Sequence, residues 1–348
     1  MQTKRTRVTV ADVAMAAGVS PTTVSYVLND TPSQSIPADT RQRVHDAANL
    51  LGYRRSAAAR ALSMGRSDVV IFALPDIPIG AVVAGIVDCL TEELDRRGLT
   101  LLLRQVLPGH SISALCLELS PAAVITLMQL PLADRTELRE ARIDVINLVI
   151  ETDRTDELSL LWPNGAIGRL QAEHLISRGH TQLGYVTPAD ARLAGIAEVR
   201  FSGVAEACRD AGLPQPILIA TDATIESAAS GIEELRKSQV TAICAYNDDV
   251  AFPLLAALRG PMAGGRMAII GVDNVPAAQF SYPPLSTISH DTGEIGTQLA
   301  ELVTRTLQAR SRTPGRKTAS TTPQPGSGSS HEAQHSPLTF HLVARQSS

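Results

Sequence analysis

Apolar side chains recur along this chain in two ways: every three to four residues at its start, and in unbroken runs further on. In VTVADVAMAAGVSPTTVSYVL (8–28), Val10, Val13, Ala14 and Ala17 fall on one face of a predicted helix. Thr9 is its expected N-cap, with Asp12 at the capping-box position. Gly18 ends that helix where a sharp turn needs positive φ, and Val19 fills the corner. Ser20 caps a second helix that opens on Pro21, where a missing N–H costs nothing. Val24, Val27 and Leu28 face inward, which leaves Pro21, Thr22, Ser25 and Tyr26 outward. A third helix is predicted over 38–51, with Val44, Ala47, Ala48 and Leu51 inward and Gly52 as its stop.

After residue 68 the texture changes. VVIFALP (69–75) reads as a strand buried on both faces, and LTLLLRQV (99–106), AAVITLM (122–128) and DVINLVI (144–150) as further strands, separated by helical patterns at 81–97, 113–119 and 131–142. The alternation resumes with strands at 182–188, 217–221, 241–248 and 267–274 and helices at 166–178, 200–211, 228–238 and 250–258. A last helix is predicted at 294–308 and a closing strand at 338–344. Strand and helix alternating at this spacing predict doubly wound parallel sheets, and two such series predict two lobes with a cleft between them. Residues 311–336, rich in Ser, Thr, Pro, Gly and Gln, are expected to be a disordered insertion.

Charge sharpens the picture. The chain carries a net −4 overall, yet residues 1–66 hold nine Lys or Arg against four Asp, a local +5. A basic head with two short helices and small outward hydroxyl residues points to the major groove of DNA. No apolar run reaches the length of a membrane span, and the basic tail leads straight into a capped helix with no secretory leader, so a cytoplasmic protein is expected. The four scattered cysteines predict reduced buried thiols. There is no nucleophile elbow, phosphate-cradling glycine loop or metal-spaced cluster; His331 and His335 stand four apart within the insertion and are read as incidental. Neither an enzyme nor a cofactor or metal site is expected.

The segments VTVADVAMAAGVSPTTVSYVLN, TRQRVHDAANLLGY and AAARALSMGRS, followed by SRGHTQLGYV, TAICAYND, IIGVDN and PPLST, resemble the lactose-repressor (LacI-type) family of bacterial transcription regulators over nearly the whole chain. The resemblance implies an all-α helix-turn-helix head (1–54), a hinge helix (55–67), and an α/β body (68–310) of periplasmic-binding-protein type. Lobe 1 would take about 68–163 and 290–310, and lobe 2 about 164–289 and 337–345.

It further implies base contacts from Pro21, Thr22 and Tyr26 and backbone contacts from Thr9, Ser20, Thr23, Ser25, Asn29 and Arg60. Leu62 takes the place of the side chain that wedges into the minor groove. Effector contacts carry over to Arg200, Asn247, Asp248 and Asp273, each expected at a strand end or helix start, with Trp162 and Phe280 as lesser candidates. Ile77-Pro78-Ile79-Gly80 and Pro163-Asn164 depart from the family pattern, and aromatics make up only 3% of residues, so ring stacking on a sugar is not expected. The expected protein is a homodimeric repressor on an inverted-repeat operator, gated by a small polar effector. The alternative is a DNA-binding regulator whose degenerate pocket needs no effector.

Overall fold

The structure, a computed structural model, describes residues 8–28, 35–53, 61, 64–127, 129–149, 159–259, 267–312 and 338–348. It divides into two compact units, 1–67 and 68–348.

In the first unit α1 (Val10–Ala17), α2 (Pro21–Leu28) and α3 (Ala38–Leu50) enclose Val13, Val24, Val27 and Val44. The capping box forms as its residues predict: the Asp12 amide donates to Thr9 Oγ1 and the Thr9 amide donates to Asp12 Oδ2. Gly18 takes φ 65° at the corner. Asn29, Arg60 and Leu62 lie outside the described residues, as does nearly all of 55–63, so the backbone-contact and wedge readings there rest on sequence alone.

The second unit opens with β1 (Val69–Pro75), α4 (Ala81–Arg96), β2 (Thr100–Val106), α5 (Ser113–Leu119), β3 (Ala123–Thr126), α6 (Leu132–Glu140), β4 (Val145–Val149) and β5 (Ser159–Leu161). Their strands form one parallel sheet in the order β2-β1-β3-β4-β5. The chain continues through α7 (Asn164–Ser177), β6 (Leu183–Pro188), α8 (Ala194–Asp210), β7 (Ile217–Thr221), α9 (Ile225–Lys237), β8 (Ala242–Ala245), α10 (Asp248–Ala257), β9 (Ala268–Val272) and β10 (Ser286–His290). After α11 (Thr292–Arg312) comes β11 (Phe340–Val343), which joins the second sheet antiparallel to β10, giving the order β11-β10-β9-β8-β6-β7.

Each sheet has its own core, so the unit is two-lobed. Three segments cross between the lobes. Trp162 packs against both cores; Asp291 links β10 to α11, whose Ile295 and Leu299 belong to the first core; and Thr339 links Leu338 of that core to β11. The crossings lie side by side, with the Asp291 amide donating to the Thr339 carbonyl and the Trp162 and His290 rings 5.1 Å apart.

Several elements differ from the sequence expectation. Helix α8 begins six residues before residue 200, so Arg200 lies inside a helix, not at its start. Strands β5 and β10 were not predicted as elements. Helix α11 runs two residues into the stretch read as an insertion; residues 313–337 lie outside the described set. The four cysteines are free, three of them buried and Cys89 half-buried.

Helices α7 and α8 cross at backbone contact. A Cβ added at Gly168 would stand 2.0 Å from the Arg200 carbonyl oxygen, and one added at Gly203 would stand 1.9 Å from that of Gly165. No side chain can yield there, because the obstacle is main chain on both sides. Gly168→Ala is therefore expected to destabilise the body by about 1–3 kcal/mol, the usual cost of overpacking. The urea midpoint of the body transition measures it, and an unchanged midpoint would show that the helices can separate without loss.

Candidate functional sites of the head and the cleft

On the head, Pro21 and Thr22 are exposed and Ser25 and Tyr26 half-exposed, a continuous outward face on α2. Burial of Val24 and Val27 in the three-helix core fixes which face that is. The hydroxyls of Thr9, Ser20 and Thr23 are already engaged in capping: the Thr23 amide donates to Ser20 Oγ at 3.1 Å, and the Ser20 and Thr23 hydroxyls lie 2.9 Å apart. They order the helix ends that carry the outward face.

Between the lobes is a cleft of about 200 Å³. The first lobe contributes Ile77, Pro78, Ile79, Gly80, Val82, Val83, Ile86, Leu127 and Leu148, and Trp162 stands at the lobe junction. The second lobe contributes Leu193 and Ile196 together with every charged or amide group among the described lining residues: Asn164, Arg200, Asn247, Asp249 and Asp273, beside Tyr246.

Arg200 forms the floor of the cleft. It is almost wholly buried, hydrogen-bonds the Tyr246 carbonyl, and donates to Asn164 Oδ1 at 2.8 Å. Its guanidinium lies over the Tyr246 ring, 4.8 Å from the centroid. Its Nε is buried with no partner. The Asn247 side chain caps α10 by accepting from the Val250 amide at 3.0 Å.

Asp273 follows β9 at φ 103°, and Asn274 follows it at 49°; two successive non-glycine residues in that region mark stored strain. Burial pushes the Asp273 carboxyl up to about 6, against the pull of Arg200. His290, whose Nε2 lies 3.7 Å from Asp273 Oδ1, is held neutral near pH 7, because burial and then Arg200 lower it to about 3. The Asp273–His290 contact is thus not an ion pair.

Of the effector candidates, Arg200, Asn247, Asp273 and Trp162 line the cleft. Asp248 and Phe280 do not, and both expectations are corrected. Asp248 is the first residue of α10 and turns beneath the sheet. There its Oδ1 accepts from Thr287 Oγ1 at 2.7 Å and its Oδ2 from the Val275 amide at 2.9 Å. The carboxyl occupies the space that a side chain at Gly271 would need. The next residue, Asp249, is exposed and reaches the cleft instead. Phe280, at the end of a 3-10 turn, is 80% exposed to solvent away from the cleft lining. The sequence reading passed over Tyr246, Asp249, His290 and the aliphatic wall. Of these only Ile77–Gly80 had a signal, as a departure from the family pattern.

The chain is similar to known proteins over most of its length. Residues 9–56 match the model of bacterial regulatory proteins of the lacI family, and residues 172–330 match that of a periplasmic binding protein-like domain. The HTH-type transcriptional regulator GalS of Salmonella typhimurium is 30% identical over 318 residues, covering 84% of this chain and 89% of that protein. The chain belongs to the lacI family of bacterial regulatory proteins. The transcriptional repressor PurR of Actinobacillus pleuropneumoniae is 28% identical over 85% of this chain and 90% of its own length. Among solved structures, the lac repressor dimer bound to operator and the anti-inducer ONPF superposes with a TM-score of 0.72 at 21% identity, covering 98% of this chain and 99% of that one. The cellobiose complex of the regulator CelR superposes at 0.63 and 23% identity, covering 98% and 100%. At those identities the likeness is one of fold. As a member of this family the chain is a DNA-binding transcription regulator and not an enzyme.

Asp248 also gives the body a pH signature. Burial raises its carboxyl to about 7, well above the unfolded value of 3.8, although Thr287 and Val275 pull it down. The folded state therefore holds this proton more tightly than the unfolded chain does. Its contribution to stability is fully present below about pH 4 and is lost as pH rises through about 7. Relative to Asp248→Asn, the native protein should lose stability between about pH 4 and pH 7, with Asp273 and His290 cancelling because both proteins keep them. Parallel denaturation midpoints across that range would refute the assignment.

Proposed function

We propose that this chain is a homodimeric, cytoplasmic repressor that binds an inverted-repeat operator through its head and releases or holds it according to a small molecule in the cleft between its lobes. The observation that carries this reading is the pairing of an outward Pro21–Thr22–Ser25–Tyr26 face with an open cleft floored by a buried arginine whose Nε has no partner. A degenerate pocket would be filled by side chains; this cleft keeps about 200 Å³. Arg200, Asn247, Asp249 and Asp273 are the proposed effector contacts, and they support closure of the lobes on a ligand that binds the closed state better than the open one. The two-fold symmetry of a dimer calls for two half-sites related by a dyad.

Thr22 and Tyr26 are proposed to read base edges, and Leu62 to enter a central minor-groove step. Selection of operators from a random library with the full chain tests the first. Tyr26→Ala should change the preferred base at one or two symmetric positions, at about 1–3 kcal/mol each. A uniform loss over all sequences would make Tyr26 a packing or phosphate residue. The second is tested on the selected operator by circular-permutation gel shifts. Leu62→Ala should lower both the bend and the affinity, and an undiminished bend would remove the wedge from the proposal.

A further inference from the structure

The two walls of the cleft differ in kind. Every described lining residue of the first lobe is aliphatic or glycine, from Ile77, Pro78 and Ile79 through Val82 and Val83 to Leu127. Ile196 extends that surface onto the second lobe. The facing wall holds two carboxylates, Asp249 and Asp273, against one guanidinium. That guanidinium donates to the Tyr246 carbonyl and Asn164 Oδ1, two of its five N–H groups, and its Nε has no partner. The neighbouring imidazole of His290 adds no positive charge.

We propose that the ligand is a small amphiphile without negative charge: a vicinal hydroxyl head set against Asp249, Asp273 and Arg200, and a hydrocarbon segment lying along the Ile77–Val83 wall. This rests on the reading of the cleft as the effector site and names the class of molecule that fills it. A hydroxyl suits the polar wall because it donates to a carboxylate and accepts from an N–H at once. An anionic head would face two carboxylates against a single guanidinium, a net repulsion at short range. A wholly polar molecule would leave the aliphatic wall wet when the lobes close, forgoing the burial that favours closure. The volume of about 200 Å³ limits the ligand to a small molecule.

Trp162 supplies the readout. It is the chain's single tryptophan and lines the cleft, so its emission reports occupancy of this site alone. The full-length protein is titrated with glycerol, 1,2-butanediol, 1,2-hexanediol and hexanoate. Free N-acetyltryptophanamide serves as the control for solvent effects.

The expected result is a saturable shift with the diols that tightens about fourfold per added methylene, hence about fifteenfold from butanediol to hexanediol. Glycerol and hexanoate should each bind at least tenfold more weakly than hexanediol. Ile79→Ser, at an exposed rim position where folding tolerates the change, should flatten the chain-length dependence. Equal response to glycerol and hexanediol, tight binding of hexanoate, or no saturable change with any probe would each overturn the proposal. Operator gel shifts with a metabolite extract score the regulator reading separately. Release of operator by the extract without any diol response keeps the gated regulator and removes the amphiphile.

Discussion

The cleft depends on a main-chain contact between two helices. Because Gly168 and Gly203 carry no side chains, α7 and α8 approach until carbonyl oxygens fill the space of the missing methyl groups. That approach brings the Arg200 backbone against α7 and its side chain within reach of both Asn164, the first residue of α7, and the carbonyl of Tyr246 beyond β8. One guanidinium thereby ties together α7, α8 and the end of β8 at the floor of the cleft. Had either glycine been alanine, the helices would stand further apart and the floor of the cleft would lose its registration.

Charge is handled differently at Asp248 and Asp273, whose carboxyls are both raised by desolvation. Asp248 is surrounded by donors and serves the sheet, joining α10 to β10 and to the turn after β9. Asp273 lies on strained backbone beside a neutral histidine and a guanidinium whose hydrogen bonds go elsewhere. The first is tied into the fold by donors from two distant segments; the second, whose carboxyl is bonded by the Asn247 side chain, lines the cleft.

Much of this was legible in the sequence. Apolar runs bounded by glycine located most strands, and the Thr9–Asp12 and Ser20–Pro21 pairs located the head helices to the residue. Some of it was not. The start of α8 was hidden because Ala194–Gly195 and the residues around them carry no cap signal, and Leu193 precedes the helix without capping it through its side chain. The three-residue β5 is too short to show a period. Asp248 and Asp249 are adjacent carboxylates, and spacing cannot say which turns under the sheet; the hydrogen bonds of Thr287 and Val275, distant in sequence, decide it. The aliphatic wall was visible only as a missing pattern, since its meaning depends on the other lobe facing it.

The three crossings at Trp162, Asp291 and Thr339 have a mechanical consequence. Two bodies joined by one strand can swivel freely, and joined by two they can still twist about the line between them. Three adjacent segments, cross-linked by the Asp291–Thr339 bond and by the tilted contact of the Trp162 and His290 rings, resist sliding and twisting and favour bending about a single axis. The separation of the lobes is then described by one angle. Whatever both lobes grip at once can act on the rest of the body only through that angle.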